Sequence, residues 1–157
     1  MLKIGQTVPD FELPNQDGEM IKLSEYRGKN VVIFSFPKAN SMGCTMQACA
    51  FRDAFPQIES ANAVVFGISG DNQDDLAGWK AAKNLQYDLL SDPDHKVLDS
   101  WDAWGVDLKI IKLPIGATRS YWVIDANGVL IDQQIGVGPK DSLKKALKAL
   151  ETMPQSV

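Results

Sequence analysis

The hydrophobic pattern changes character along the chain. Between Asp10 and Asn30, short apolar pairs are broken by Pro14, Asn15, Asp17 and Gly18. DFELPNQDGEMIKL therefore predicts two short strands around a polar turn ending in Asp-Gly, and LSEYRGKN predicts one helical turn stopped by Gly28. NVVIFSF, Asn30–Phe36, runs on in β-branched and aromatic residues without alternation, as a strand buried on both faces does, and Pro37 ends it. AVVFGIS, Ala63–Ser69, reads the same way. Between these runs the apolar positions fall at Cys44, Ala48, Phe51, Phe55 and Ile58, in steps of four, three, four and three, which predicts a helix over residues 42–61. Pro56 lies inside that pattern, removes one N–H and predicts a kink.

DNQDDLAGWKAAKNL predicts a further helix, with Asp71 or Asn72 as N-cap and Leu76, Trp79 and Ala82 or Lys83 along one side. YDLLSD is a third strand. DPDHKVLDSWDAW opens on a capping sequence with Pro93 near its first turn and predicts a helix. Trp101 and Trp104, three apart, are expected to share a face of it as core or half-exposed packing. His95, the only histidine, is expected in its first turn, exposed to solvent. SYWVIDANGVLIDQQIG predicts a hairpin turning at Asn127-Gly128. GPKDSLKKALKAL predicts an amphipathic helix whose Lys140, Lys144, Lys145 and Lys148 form the solvated face. Buried strands alternating with helices, followed by a hairpin and a last helix, predict an α/β fold. The expected architecture is a central mixed β-sheet flanked by helices, with an N-terminal β-hairpin, in the thioredoxin-like arrangement. No repeat, low-complexity segment or linker interrupts the chain, so residues 1–157 read as a single domain.

Composition narrows the partners. Of 157 residues, 45% are hydrophobic and 23% charged, as in a globular protein with a proper core, and the net charge of −4 argues against nucleic acid or an anionic membrane as the main partner. No apolar run is long enough to span a bilayer, and the N-terminus lacks the pattern of a secretory signal, so a cytoplasmic location is expected. In that compartment two cysteines are more often catalytic, redox-sensing or metal-binding than structural. Zinc is poorly served: only His95 adds an imidazole, and no second cysteine pair completes four ligands.

Both cysteines, Cys44 and Cys49, fall in FPKANSMGCTMQACAFRD, five positions apart. Cys44 is expected in the first turn of a helix that follows a buried strand, where free N–H groups and the helix dipole favour an anion; a thiolate is the nucleophilic form of cysteine. Cys44 heads the apolar stripe and should face inward, whereas Cys49 lies about 100° round from that stripe, nearer its edge. Five helical residues separate the two Cα atoms by roughly 8–9 Å, beyond the range of about 4.4–6.8 Å that a disulfide takes. The thiols cannot bond until the first turns unwind. An intact helix would activate Cys44 toward a peroxide, giving a sulfenic acid, and local unfolding would let Cys49 condense with it. Two small buried residues of no chemical consequence are the alternative.

The same stretch resembles the active-site sequence of peroxiredoxins, in the bacterioferritin comigratory protein or peroxiredoxin Q branch. That pattern is a proline, three residues, a threonine or serine, two residues and the peroxidatic cysteine, here Pro37, Ser41 and Cys44; many members carry a resolving cysteine five residues on, here Cys49, followed by Phe51-Arg52-Asp53. VPDFELPNQDGEMIKLSEYRGKNVVIFSFPK, VFGISGDN, YDLLSDPD and RSYWVIDANGVL follow in the family's order, so the resemblance covers nearly the whole chain. Arg119 matches the family's pocket arginine, and Arg52 is a second candidate for the pocket. Ser41 stands where threonine is usual, and Ala39 and Gln47 stand where acidic residues are frequent.

The resemblance implies a thiol peroxidase that reduces hydrogen peroxide and organic hydroperoxides. Cys44 would attack, Cys49 would resolve to an intrachain disulfide, and Arg119, Ser41 and Pro37 would build the site. Thioredoxin or a similar dithiol protein would restore the thiols. No metal, flavin or haem is implied, and a monomer is expected more often than a dimer. Two other functions compete. A general thiol–disulfide oxidoreductase would want C-x-x-C, which the chain lacks. A non-catalytic redox sensor or holdase would signal by unfolding the cysteine helix.

Overall fold

The computed structural model of the protein describes residues 1–107 and 112–153. A hairpin of β1 (Glu12–Pro14) and β2 (Met20–Lys22) leads through a 3-10 turn at Leu23–Tyr26 into β3 (Asn30–Ser35). Then follow α1 (Met42–Asp53), α2 (Phe55–Ser60), β4 (Ala63–Ser69), α3 (Gln73–Lys83), β5 (Asp88–Ser91) and α4 (Lys96–Ser100). The chain continues through β6 (Trp104–Asp107), β7 (Lys112–Ala117), β8 (Ser120–Ile124), β9 (Leu130–Ile135) and α5 (Pro139–Glu151).

The central sheet has the order β5-β4-β3-β8-β9. β3 runs parallel to β4 and β4 to β5, while β8 is antiparallel to both β3 and β9. This is the mixed sheet the element order predicts. Alternate residues of β3 feed two cores. Val32 and Phe34 face a cluster with Cys44, Ala48, Phe51, Leu76, Trp79, Ala146 and Leu150, which buries α1, α3 and α5. Val31 and Ile33 face the other, with Leu23, Leu98, Trp101, Trp122 and Leu130. A strand with a core on each side needs apolar residues at every position, which is why NVVIFS shows no alternation. Lys140, Lys144, Lys145 and Lys148 do form the exposed face of α5.

Three expectations are corrected. The helix predicted over 42–61 is two helices: α1 ends at Asp53, Ala54 leaves the helix, and Pro56 lies in the first turn of α2, where its missing N–H costs nothing. The helix predicted to run as far as Trp104 is only α4. It starts after His95, whose backbone is left-handed (φ 46°), and Asp102 turns left-handed again (φ 59°) just beyond it. Trp101 and Trp104 therefore share no helix face. Trp101 is buried against Phe11 and Trp122 (ring centroids 5.6 and 4.9 Å), whereas Trp104 opens β6. His95 is half-exposed at the cap of α4, with its ring stacked on Trp104 at 4.3 Å and Nδ1 2.5 Å from Asp99 Oδ2. Third, the β6–β7 hairpin was not anticipated. Tryptophans three apart imitate a helical stripe, and a strand containing Gly105 at φ 110° shows no clear run.

Candidate active site

The site forms at the carboxyl end of β3, where the chain leaves the sheet through residues 37–41 and enters α1. Asp71, just past β4, anchors this loop: its Oδ2 accepts from the Ala39 N–H at 2.9 Å and from Ser69 Oγ at 2.7 Å. On the other side Gly116 of β7 presses against the loop. Its φ is +84°, and a Cβ there would come 2.7 Å from the Pro37 carbonyl oxygen, so only glycine fits. Pro37 is half-buried between these supports.

Cys44 is the third residue of α1 and is completely buried, as its place at the head of the apolar stripe predicts. Arg119 approaches it from the start of β8. Its Nη2 lies 3.5 Å from Cys44 Sγ, and its Nη1 donates to Gln47 Oε1 at 2.6 Å. The Arg119 backbone is fixed too, because its carbonyl accepts from Gly136 and Val137 N–H at 3.0 and 2.8 Å. Gln47 is wholly buried, and its Nε2 donates to the Ser35 carbonyl at 3.4 Å. A neutral amide thus holds the guanidinium. Among the described residues no carboxylate pairs with Arg119, and its guanidinium faces the sulfur. With the free N–H groups at the α1 N-terminus, it puts positive potential on Cys44.

Ser41 is the N-cap of α1, but its side chain is exposed and donates to the Lys38 carbonyl at 2.9 Å instead of capping the helix. The structure brings Cys44 and Arg119 together, sets the Pro37 backbone against Gly116, and turns the Ser41 hydroxyl into its own loop. Arg52 is not in the pocket. Its Nε pairs with Asp53 Oδ1 at 3.0 Å and its Nη1 donates to the Lys83 carbonyl at 2.8 Å. Cys49 is half-buried on the flank of the same unbroken helix, and both cysteines are free. Asp71, expected only as a possible N-cap, and Gly116 were not read from sequence as supports of the site: a short polar residue after a strand and a glycine near a strand end carry no such signal until the segments they touch are known.

A sequence model described as the AhpC/TSA family matches residues 4–133. The chain belongs to that family. It is a peroxiredoxin, a thiol-dependent peroxidase. Over 154 residues it is 38% identical to a peroxiredoxin Bcp of Bacillus subtilis (strain 168), covering 98% of each chain. Over 127 residues it is 39% identical to the peroxiredoxin Bcp of Escherichia coli (strain K12), covering 81% of each. Among solved structures, the peroxidoxin BcpB of Mycobacterium tuberculosis superimposes with a TM-score of 0.87 at 31% identity, over 98% of this chain and 99% of that one. As in any peroxiredoxin, the chemistry is carried by cysteine sulfur, and this chain has two candidates for it. Among its described residues, no helix is long and apolar enough to cross a membrane.

Proposed function

We propose that Cys44 is the peroxidatic thiol, that Cys49 resolves it, and that Arg119 holds the reacting anion. The observation that carries this is the 3.5 Å approach of Arg119 Nη2 to a fully buried sulfur at a helix N-terminus. The Cys44 thiolate attacks the proximal oxygen of a hydroperoxide: an S–O bond forms, the O–O bond breaks, and the distal oxygen leaves with a proton as water or alcohol. Arg119 orients the peroxide and stabilises the charge that develops on the leaving oxygen. Pro37 shapes the mouth of the site. The Ser41 hydroxyl serves the reaction only after rotating away from Lys38. Cys49 then attacks the Cys44 sulfenic sulfur: an S–S bond forms, the S–O bond breaks, and water leaves.

Hydrogen peroxide and organic hydroperoxides are the substrates in this reading. A dithiol protein of the thioredoxin kind returns the disulfide to two thiols and is itself oxidised. The chain works as one domain over residues 1–157, as a monomer in the cytoplasm. The decisive experiment is intact mass after one equivalent of hydrogen peroxide, on the reduced wild type and on Cys49→Ser. The expected results are a loss of about 2 Da in the wild type, for a disulfide, and a gain of about 16 Da in the variant, for a sulfenic acid. No mass change in either protein within seconds removes both cysteine assignments.

A further inference from the structure

The two thiols meet only after α1 opens, and the hydrogen bonds between α1 and its neighbours resist that opening. Trp79 Nε1 donates to Thr45 Oγ1 at 3.3 Å, Arg52 Nη1 to the Lys83 carbonyl at 2.8 Å, and Gln86 Nε2 to the Arg52 carbonyl at 3.1 Å. The Tyr87 hydroxyl, at the entry to β5, donates to the Ala48 carbonyl at 2.6 Å. The Tyr87 bond differs from the others. Its residue is 4% exposed and set edge-on to Phe34 at 5.7 Å. Burial, with Cys49 adding in the same direction, pushes the Tyr87 hydroxyl well above the ordinary phenol range, so it remains a proton donor. By α-helical pairing its acceptor already has a donor in the Arg52 N–H, so the bond is not needed to satisfy that carbonyl. What it does is fasten the backbone between the two cysteines, one residue before Cys49.

We propose that Tyr87 is a positioning residue for disulfide formation: its bond to Ala48 sets how readily α1 opens, and so divides the Cys44 sulfenic acid between resolution and further oxidation. The proposal rests on the assignment of Cys44 and Cys49 above. While α1 is closed, the sulfenate can meet only a second peroxide. It then attacks that oxygen, the O–O bond breaks, water or alcohol leaves, and the sulfur becomes a sulfinic acid. Once α1 opens, the Cys49 thiolate displaces the sulfenic oxygen as water and the disulfide forms.

Tyr87→Phe removes the O–H and keeps the ring, and Ala48 keeps its helical donor. Hydrogen exchange read by mass spectrometry on the reduced protein should show the amides of residues 45–50 opening about 2- to 10-fold faster in the variant, with the rest of the molecule unchanged. Quenched-flow mass analysis should show disulfide forming faster by the same factor. The rate of Cys44 oxidation should stay unchanged, and the peroxide concentration that yields sulfinic acid should rise in proportion. Equal or slower exchange and resolution would overturn the latch, as would exchange accelerated throughout the molecule. The wild type alone gives a second test: amides before Ala48 should open in an easier event than those of residues 50–53, and a uniform opening of α1 sinks the proposal. A wild type that forms no Cys44–Cys49 disulfide would overturn the cysteine assignment and this proposal with it; a wild-type disulfide beside an unchanged variant would overturn the latch alone.

Discussion

The two ends of α1 are held in different ways. At the amino end Met42 is 83% exposed and Met46 43%, Ser41 gives the helix no side-chain cap, and the Thr45–Trp79 bond is long. At the carboxyl end Phe51 is fully buried and stacked on Phe34, with centroids 4.5 Å apart and planes 5° apart, while Arg52 donates to the last residue of α3 and accepts from Gln86 in the turn that follows it. One helix thus carries a weakly tied turn, where Cys44 sits, and a firmly tied turn on the sheet. Stability is distributed locally, and a segment that must move is drawn from its low end. The difference teaches that the apolar stripe of α1 serves two purposes in the proposed reaction: its first residue supplies the attacking sulfur, and the later ones anchor the helix against which the first turn opens.

The largest effect should come from the firm end. Phe51→Ala is expected to lower stability by about 3–5 kcal/mol, the range for emptying a buried aromatic site. Urea unfolding measures it, and a loss under ~1 kcal/mol would mean the firm end is not anchored by this stack. Next comes the site itself. Arg119→Met should slow Cys44 oxidation by about 10²–10³-fold, the scale of removing one preorganised donor from a developing anion, with unfolding midpoint little changed. Stopped-flow peroxide consumption at a single turnover gives the number, and a rate within twofold of wild type would take Arg119 out of the chemistry. Gln47→Leu leaves the guanidinium without its 2.6 Å partner and should cost about tenfold in the same assay. Full activity in that variant would show that the fixed Arg119 backbone is enough.

The smallest effect concerns Asp88, which ties Lys80 of α3 to the turn at Asn15-Gln16. Burial pushes its carboxyl up, but the hydrogen bonds from Lys80, Gln16 and Asn15 outweigh that, and the net shift is downward. A depressed folded value contributes stability that is complete above the ordinary carboxylate value of about 3.9 and is lost as pH falls through the lower folded one. Buried Asp92 has the opposite sign: burial raises it despite hydrogen bonds from the first turn of α4, so the folded state favours its protonated form. Wild type and Asp88→Asn should therefore be compared by urea midpoint from pH 6 to pH 3. The two curves should converge on acidification, by ~1 kcal/mol or less for a half-exposed pair. Parallel curves would show that Asp88 contributes nothing to acid sensitivity.

Much of this architecture was legible. β3 and β4 are written as unbroken apolar runs because each has a core on both faces. Of the two expected caps, Asp71 and Asn72, it is Asn72 that caps α3, accepting from the Asp75 N–H at 2.8 Å. Asn127-Gly128 marks the β8–β9 turn because Gly128 takes a positive φ of 84°. Periodicity also placed Cys44 inward and Cys49 at the flank. What stayed hidden was settled by distant partners. Arg119 emerged only through the family resemblance, since nothing local says that its guanidinium reaches a residue 75 positions earlier. Gln47 is buried because its amide oxygen accepts from Arg119 and its Nε2 donates to the Ser35 carbonyl, whereas its composition alone argues for the surface. The β6–β7 hairpin was lost because its first strand starts on a tryptophan whose spacing fits a helix that has already ended.

Trp79 is wholly buried, with its indole 4.9 Å from the Phe36 ring and its N–H on the residue next to Cys44. Unwinding the first turn would free that N–H and change the polarity around the indole. Trp101 and Trp122 lie in the core on the other side of the sheet, and Trp104 is stacked on His95. The enzyme therefore carries its own optical probe: Trp79 emission, with no added label, should change when the first turn of the helix opens.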